Sequence, residues 1–187
     1  GVQNNGIINH YEYIINSEGT IEIRHVLKPE GKMPLWFPRI GLTLTVSDAL
    51  DQMKWYGRGP QENYPDRKTG YPMGIYASTV QAMYEPYLMP QDYGLRTDVR
   101  WLQLTTDKGI GLQFKMNEWF NFNIYPYSTD NLTKAMYTYQ LQKQKGMTLN
   151  LDYATTGVGC TARGVFGAYK AMPQEYRRTI SIRPMMK

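Results

Sequence analysis

The densest group of ionisable side chains in this sequence lies in residues 55–67, which read WYGRGPQENYPDR. Glu62 and Asp66 place two carboxylates four residues apart, between the guanidinium groups of Arg58 and Arg67. Such crowding is typical of sites of acid–base chemistry, and also of irregular loops that must satisfy their own polar groups away from water. The protonation state that the neighbours favour for each carboxylate decides between these interpretations.

A pair of carboxylates, one protonated as an acid and the other ionised as a nucleophile or base, carries out glycoside hydrolysis. Glu62 with Asp66 is one candidate pair, and Asp92 with Asp98 is another. Arginines flank both pairs in the sequence. A neighbouring guanidinium group lowers the pKa of a carboxyl group and keeps it charged, which disfavours a general acid.

We therefore assign no catalytic residue and interpret the segment as a structural, ion-paired loop. Its members are Arg58, Glu62, Asn63, Tyr64, Asp66, Arg67 and Arg96.

Other catalytic chemistries find less support. His10 and His25 have no second ligand at a diagnostic spacing, so we predict no metal site. Cys160 lies in the small-residue segment GVGCTARG, and no histidine follows it to act as a base. We expect a tight loop with a buried, unreactive thiol.

The composition fits one domain with a substantial core, since 42% of the 187 residues are hydrophobic. The net charge is +5, but the Lys and Arg residues are scattered, so nucleic-acid binding is not favoured. No stretch has the apolar length of a membrane span. We expect a soluble protein of the bacterial cytoplasmic or periplasmic type, with no membrane partner.

Alternating apolar residues predict strands along most of the chain. Residues 11–15 and 21–23 alternate on either side of the turn-forming segment Asn16-Ser17-Glu18-Gly19, which predicts a hairpin. In residues 128–141, a capping residue at Ser128 or Thr129 and apolar residues at helical spacing predict one short helix. We expect an all-β sandwich of two facing sheets, each strand burying one face, with this helix laid against a sheet.

Aromatic side chains make up 13% of the chain and include sixteen tyrosines. Such rings serve as platforms for the C–H faces of sugars, but in a β-sandwich they more often fill the core. We assign Trp36, Trp101 and Trp119 to packing, and leave the roles of Trp55 and Tyr64 open.

Seven motifs, in order, resemble those of the C-terminal small-chain domain of glycoside hydrolase family 2 β-galactosidases. They lie at residues 38–42, 55–67, 87 with 90–94, 96 with 98–101, 109–112, 132 with 135, and 149–152 with 157–159. The resemblance covers about residues 11–183 and implies an antiparallel β-supersandwich of the galactose mutarotase-like type over residues 11–187. Residues 1–10 would then be a tail or the remnant of a preceding linker.

The resemblance implies a domain that is not itself catalytic. The parent enzyme would be a retaining β-galactosidase, often homo-oligomeric, that hydrolyses terminal β-D-galactosides. Its catalytic glutamates and its magnesium and sodium sites would lie in a barrel outside this chain, so the isolated domain should bind no cofactor and be inactive. Its partners would be the rest of the polypeptide and the carbohydrate at the active-site rim.

In this family, a tryptophan in the loop after the GVG motif commonly stacks on the sugar, and that tryptophan is missing here. The candidate substrate-binding residues of the loop are therefore Cys160, Thr161, Arg163 and Phe166. Two alternatives stay open: an independent carbohydrate-binding module, and a mutarotase-like enzyme. The latter would need a histidine acid opposite a glutamate base, and neither histidine is predicted in a central strand.

Overall fold

The computed structural model describes residues 5–160 and 164–186, and these form an antiparallel β fold with one short α-helix. The all-β fold class is confirmed. The elements are β1 (Gly6–Ile15), β2 (Ile21–Glu30), β3 (Arg39–Val46), β4 (Gln52–Arg58), β5 (Met73–Thr79), β6 (Arg96–Thr105), β7 (Gly111–Tyr125), α1 (Thr129–Lys134), β8 (Met147–Thr155) and β9 (Tyr176–Met185). No helix among the described residues is long and apolar enough to cross a membrane.

The nine strands belong to one hydrogen-bonded sheet that forks at β7. The main path runs β1-β2-β9-β7-β6-β4-β5, and β8 pairs with both β3 and β7. The first part of β7, residues 111–116, pairs with β9, whereas residues 121–125 pair with β8. We had expected the strands to form two separate sheets. The long strand β7 instead joins them into one branched sheet.

The N-terminal hairpin forms as predicted. The side-chain oxygen of Asn16 accepts hydrogen bonds from the backbone N–H groups of Glu18 and Thr20, each at 3.0 Å, and Gly19 adopts a φ of +78°. Every residue of β1 is exposed, so the expected burial of one face is wrong for this edge strand. The boundary that we expected at residue 10 falls inside β1.

The main core is one cluster of buried side chains contributed by several strands. Strands β4, β6, β7 and β8 bury large side chains there, including Trp55, Leu102, Phe114, Phe122 and Leu151. Full burial of such a side chain stabilises the folded state by about 1.5–3 kcal/mol. A second cluster, around Ile23, Ile40 and Ile180, joins β2, β3 and β9.

Helix α1 forms where its capping signals predict it. The hydroxyl of Ser128 accepts a hydrogen bond from the backbone N–H of Asn131 at 3.0 Å, and Leu132 is buried beside Tyr93 and Tyr125. The helix ends at Lys134, earlier than the apolar spacing suggested, and residues 138–140 form a separate 3₁₀ turn.

Two irregularities interrupt the pairing of β6 with β7. Val99 pairs with Phe120 and Trp101 with Lys115, so residues 116–119 bulge opposite a single residue of β6. On the other side of Val99, a second irregularity contains Asp98, which has a φ of +56°. A non-glycine residue in this region is uncommon, although Asp tolerates it better than most.

Candidate functional site

The segment after β4 closes into a tight turn. The backbone N–H of Tyr64 donates to the carbonyl of Arg67 at 3.2 Å, and the N–H of Arg67 donates back to the carbonyl of Tyr64 at 2.8 Å. Pro65 occupies a turn position for which its fixed φ is suited. This turn brings the guanidinium group of Arg67 back to the carboxylate of Glu62, at 2.8 Å.

Glu62 is the buried centre of the segment, with only 6% of its surface exposed. Its carboxylate accepts hydrogen bonds from the backbone N–H of Gly94 at 2.9 Å, from Arg67 Nη2 at 2.8 Å, and from the hydroxyl groups of Tyr64 at 3.1 Å and Tyr87. Burial by itself would raise the pKa of Glu62, but these donors together hold that pKa below its ordinary value. The carboxylate is thus kept ionised, which does not suit a general acid.

Asn63 and Arg96 fasten the segment to β6. The side-chain oxygen of Asn63 accepts hydrogen bonds from the backbone N–H and the hydroxyl of Thr97, at 3.1 and 2.5 Å. Arg96 Nε donates to the carbonyl of Pro60 at 2.9 Å, and its guanidinium group lies over the ring of Trp55. Burial lowers the pKa of Arg96 to about 10, so it remains charged at neutral pH.

Asp98 has different partners from the arginines that flank it in sequence. Its carboxylate lies 2.5 Å from Arg58 Nε and 2.8 Å from Lys68 Nζ. Burial opposes ionisation, but these two cations lower the pKa of Asp98. The positive φ at Asp98 turns this residue out of the regular β6 pairing, which explains why adjacency along β6 did not predict its partners.

Asp66 connects the segment to the GVG motif, residues 157–159. Its two carboxylate oxygens accept hydrogen bonds from the backbone N–H groups of Val158 at 3.0 Å and Gly159 at 2.7 Å. A Cβ at Gly157 would lie 2.3 Å from Asp66 Cγ, so the contact requires glycine there. The ion-paired segment and the candidate substrate loop, about ninety residues apart, therefore form one assembly.

The residues of the candidate loop that the structure describes lie on the surface. Phe166 is 67% exposed, and Cys160 is exposed rather than buried, so the prediction of a buried thiol is wrong. Asp66 holds the backbone of the GVG motif, and Cys160, the next residue, lies at the surface. Thr161 and Arg163 lie outside the described residues.

A cleft of about 870 Å³ opens beside this loop. Val158 and Val165 of the loop contribute to its wall, together with the rings of Trp36, Tyr64 and Tyr87. Polar groups of the cleft include Arg39, Gln91 and Asp92. Aromatic rings with a few converging polar groups suit a hydroxylated ring ligand.

A partly buried polar network in the wall of the cleft was missed by sequence reasoning. Arg39 Nη2 lies 2.9 Å from Asp152 Oδ2 and 3.4 Å from Asp92 Oδ2. The side-chain nitrogen of Asn123 donates to Asp92 Oδ1 at 2.8 Å. Burial raises the pKa of Asp152, against the opposing effect of the Arg39 guanidinium group. The sequence signal that could have predicted this network is the polar side chains at alternate positions of β7 and β8: Asn121, Asn123, Asn150 and Asp152.

The sequence of this chain is similar to a protein-family model and to several proteins of known name. The family model described as the beta galactosidase small chain matches residues 3–182. A beta-galactosidase of Priestia megaterium is 38% identical over 147 residues, which is 79% of this chain and 14% of that protein. A beta-galactosidase of Pseudoalteromonas haloplanktis is 33% identical over 159 residues, which is 83% of this chain and 14% of that protein.

This chain belongs to the β-galactosidase small chain family. A beta-galactosidase of Vibrio cholerae, 38% identical over 122 residues, aligns with 65% of the chain and 11% of its own length. The small chain therefore spans about one seventh or less of the relatives that it matches.

Two tryptophans of the small chain are surface residues and not packing residues as we had assigned them. Trp36 is 38% exposed and Trp119 is 54% exposed, whereas Trp55, whose role was open, is buried in the core. Trp119 lies in the bulge of β7, which turns it away from the core. Sequence alternation assumes regular pairing, so it could not place this ring.

Histidine and metal chemistry find no site in the described part of the small chain. His25 is buried in β2, with Nδ1 2.7 Å from the hydroxyl of Tyr153 and Nε2 3.0 Å from the side-chain oxygen of Asn9. Burial lowers the pKa of His25. Within residues 5–160 and 164–186, no three His, Cys, Asp or Glu side chains group closely enough to hold a metal ion.

Proposed function

We propose that this small chain is a non-catalytic C-terminal domain of a retaining β-galactosidase, and that it forms part of the active-site rim and packs against the catalytic domain. The observation that carries the proposal is the attachment of the GVG motif to the ion-paired segment through Asp66. This attachment fixes the base of a loop whose outer residues, such as Phe166, are exposed. A rigid base with exposed side chains suits a loop that reaches into a neighbouring site.

Three buried carboxylates, Glu62, Asp98 and Asp152, support a non-catalytic role. Glu62 and Asp98 are held ionised by their partners. Asp152 has a raised pKa, but it is buried against Arg39, out of reach of a substrate. Retaining hydrolysis needs an accessible acid and an accessible nucleophile about 5–5.5 Å apart. The catalytic glutamates, and the magnesium and sodium of the parent enzyme, would then be supplied by residues outside this chain.

Loop substitutions in the full-length enzyme test the rim. We expect Phe166→Ala to raise KM for a β-galactoside about three- to tenfold, because an aromatic contact is worth about 0.5–1.5 kcal/mol. Arg163→Ala should also raise KM, because it removes hydrogen-bond donors to the sugar. Tyr139→Ala is the matched control, since Tyr139 is an exposed aromatic residue of the 138–140 turn and does not contribute to the wall of the cleft beside the loop. Unchanged KM and kcat in both loop variants would refute a rim role.

A second candidate function is independent carbohydrate binding, favoured by the cleft beside Trp36 and Tyr87. Its wall combines these rings with the polar groups of Arg39, Gln91 and Asp92. Titration of the 187-residue chain with lactose, followed by backbone amide shifts, tests it. Saturable shifts around Trp36 would support an independent module, and their absence alongside activity of the full-length enzyme would favour the rim role.

A further inference from the structure

A second, smaller cavity lies on the other side of Thr155 from the cleft, and Thr155 contributes to the walls of both. It encloses about 210 Å³, which is the scale of a single sugar ring and not of an extended chain. Its wall combines the rings of Trp119 and Tyr169 with the polar side chains of Lys68, Asp98 and Asn121. Nothing in the assembly around Asp66 uses these rings.

Trp119 is presented to this cavity by the irregular pairing of β6 with β7. Residues 116–119 bulge opposite Arg100, and the Arg100 guanidinium group lies 3.5 Å from the centre of the Trp119 ring. One face of the indole is thus covered and held by a cation. The side chain is nevertheless 54% exposed, so the rest of its surface is open. A large aromatic ring that is both held and exposed is suited to stacking.

The second irregularity in the same strand pair delivers the polar group. Asp98 has a positive φ and contributes to the cavity wall beside Lys68. Its Oδ1 lies 2.8 Å from Lys68 Nζ, and Oδ2 lies 2.5 Å from Arg58 Nε. Lys68 Nζ also lies 2.9 Å from Oδ2, so Oδ2 already has two donors. Oδ1 retains a lone pair and the ammonium group retains one N–H, so the pair can accept from one hydroxyl and donate to another. Bulges recur beside binding sites because they re-aim side chains.

We propose that this cavity, which we call the Trp119 site, binds one pyranose ring of a carbohydrate, separately from the active-site rim. The ring stacks on Trp119, and two neighbouring hydroxyl groups bond to the carboxylate of Asp98 and the ammonium group of Lys68. A β-galactopyranoside fits best by chemistry, because its axial 4-hydroxyl leaves the C3, C4 and C5 hydrogens on one continuous apolar face. This site does not depend on the rim function, since neither Cys160 nor Phe166 contributes to its wall.

Indole resonances provide the test. The chain has four tryptophans, so its ¹H–¹⁵N spectrum contains four indole N–H signals, which single Trp→Phe variants assign. On titration of the 187-residue chain with methyl β-D-galactopyranoside, we expect the Trp119 signal to shift saturably and the buried Trp55 signal to stay in place. Backbone amides of Asp98 and Asn121 should shift with the same Kd.

Variants separate the Trp119 site from the cleft. Trp119→Ala should raise this Kd about tenfold or more, the effect of removing a central aromatic contact. Trp119→Phe, which keeps a ring, should raise it less. Trp36→Phe is the matched control, because it changes an exposed tryptophan of the cleft but keeps a ring beside Lys170, and it should leave the Kd at the Trp119 site unchanged.

Two outcomes would overturn the proposal. The first is the absence of a saturable shift at Trp119 with methyl β-D-galactopyranoside in a chain whose four indole signals show it to be folded. The second is a shift confined to Trp36 and its neighbours, which would assign binding to the cleft. Neither outcome bears on the loop variants of the full-length enzyme, so the two proposals fail independently.

Discussion

Removal of the Asp66 carboxylate should loosen the GVG motif. In Asp66→Ala, the backbone N–H groups of Val158 and Gly159 lose acceptors at 3.0 and 2.7 Å. A hydrogen bond to a charged group contributes about 1.5–3 kcal/mol. Because Val158 is exposed, water replaces much of its lost bond, so we expect a total loss of roughly 2–3 kcal/mol in the free energy of unfolding.

Urea unfolding of the 187-residue chain measures this loss, and amide hydrogen exchange locates it. If the loss is local, the amides of Val158 and Gly159 should exchange roughly 30- to 140-fold faster, since 1.4 kcal/mol corresponds to a factor of ten. Asp66→Asn keeps one acceptor oxygen and should lose about half as much. The control is Asp130→Ala, which breaks an exposed ion pair with Lys134 and should cost about 0.5 kcal/mol or less.

We would reject this role for Asp66 if the free energy of unfolding of Asp66→Ala lay within about 0.5 kcal/mol of that of the unaltered chain and amide exchange at Val158 and Gly159 were unchanged. In that case the GVG motif would be held by its other contacts. One of these is the bond from the N–H of Gly157 to the carbonyl of Tyr169 at 2.9 Å.

Two further predictions concern pH. The pKa values of Glu62 and Asp98 are lowered in the folded state, so the unfolded chain binds protons first on acidification. Their stabilising contribution is therefore present above about pH 4.5 and is lost as the pH falls below that value. In the double variant Glu62→Gln with Asp98→Asn, the urea midpoint should depend less on pH below about 4.5 than it does in the unaltered chain. The pKa of His25 is also lowered, by burial, so stability should begin to fall as the pH drops through about 6.5. His25→Gln should remove that slope between pH 6.5 and 5, and an unchanged slope would assign it to other groups.

The strands and the helix were predictable because their signals are local. Alternation around the turn at Asn16 to Gly19 gave the first hairpin, and the capping oxygen of Ser128 gave α1. Both signals act within a few residues, and tertiary packing did not override them.

The partners of the site residues were not predictable because they depend on distant strands. Asp66 binds a backbone segment some ninety residues away, and Asp98 pairs with Lys68 across the fold. The predictions of burial were wrong for a related reason. Trp119 lies where the backbone of β7 departs from regular pairing, and a hydrophobic pattern assumes that pairing to be regular. Cys160 is exposed although the small residues around it suggested a buried thiol.

The pairing of β2 with β9 has a consequence for how the chain folds. Ile21 lies opposite Ile182, so the inner edge of the first hairpin meets a strand more than one hundred and fifty residues later in the sequence. Contacts of such long range close slowly because the entropy of the intervening loop must be lost first. During synthesis, the hairpin can form early but has to wait for residues 176–185 before it docks. Until then the apolar side chains of the hairpin that are buried in the folded chain, such as Ile23 and Leu27, stay exposed. In that state the hairpin can pair with a wrong strand or bind a chaperone.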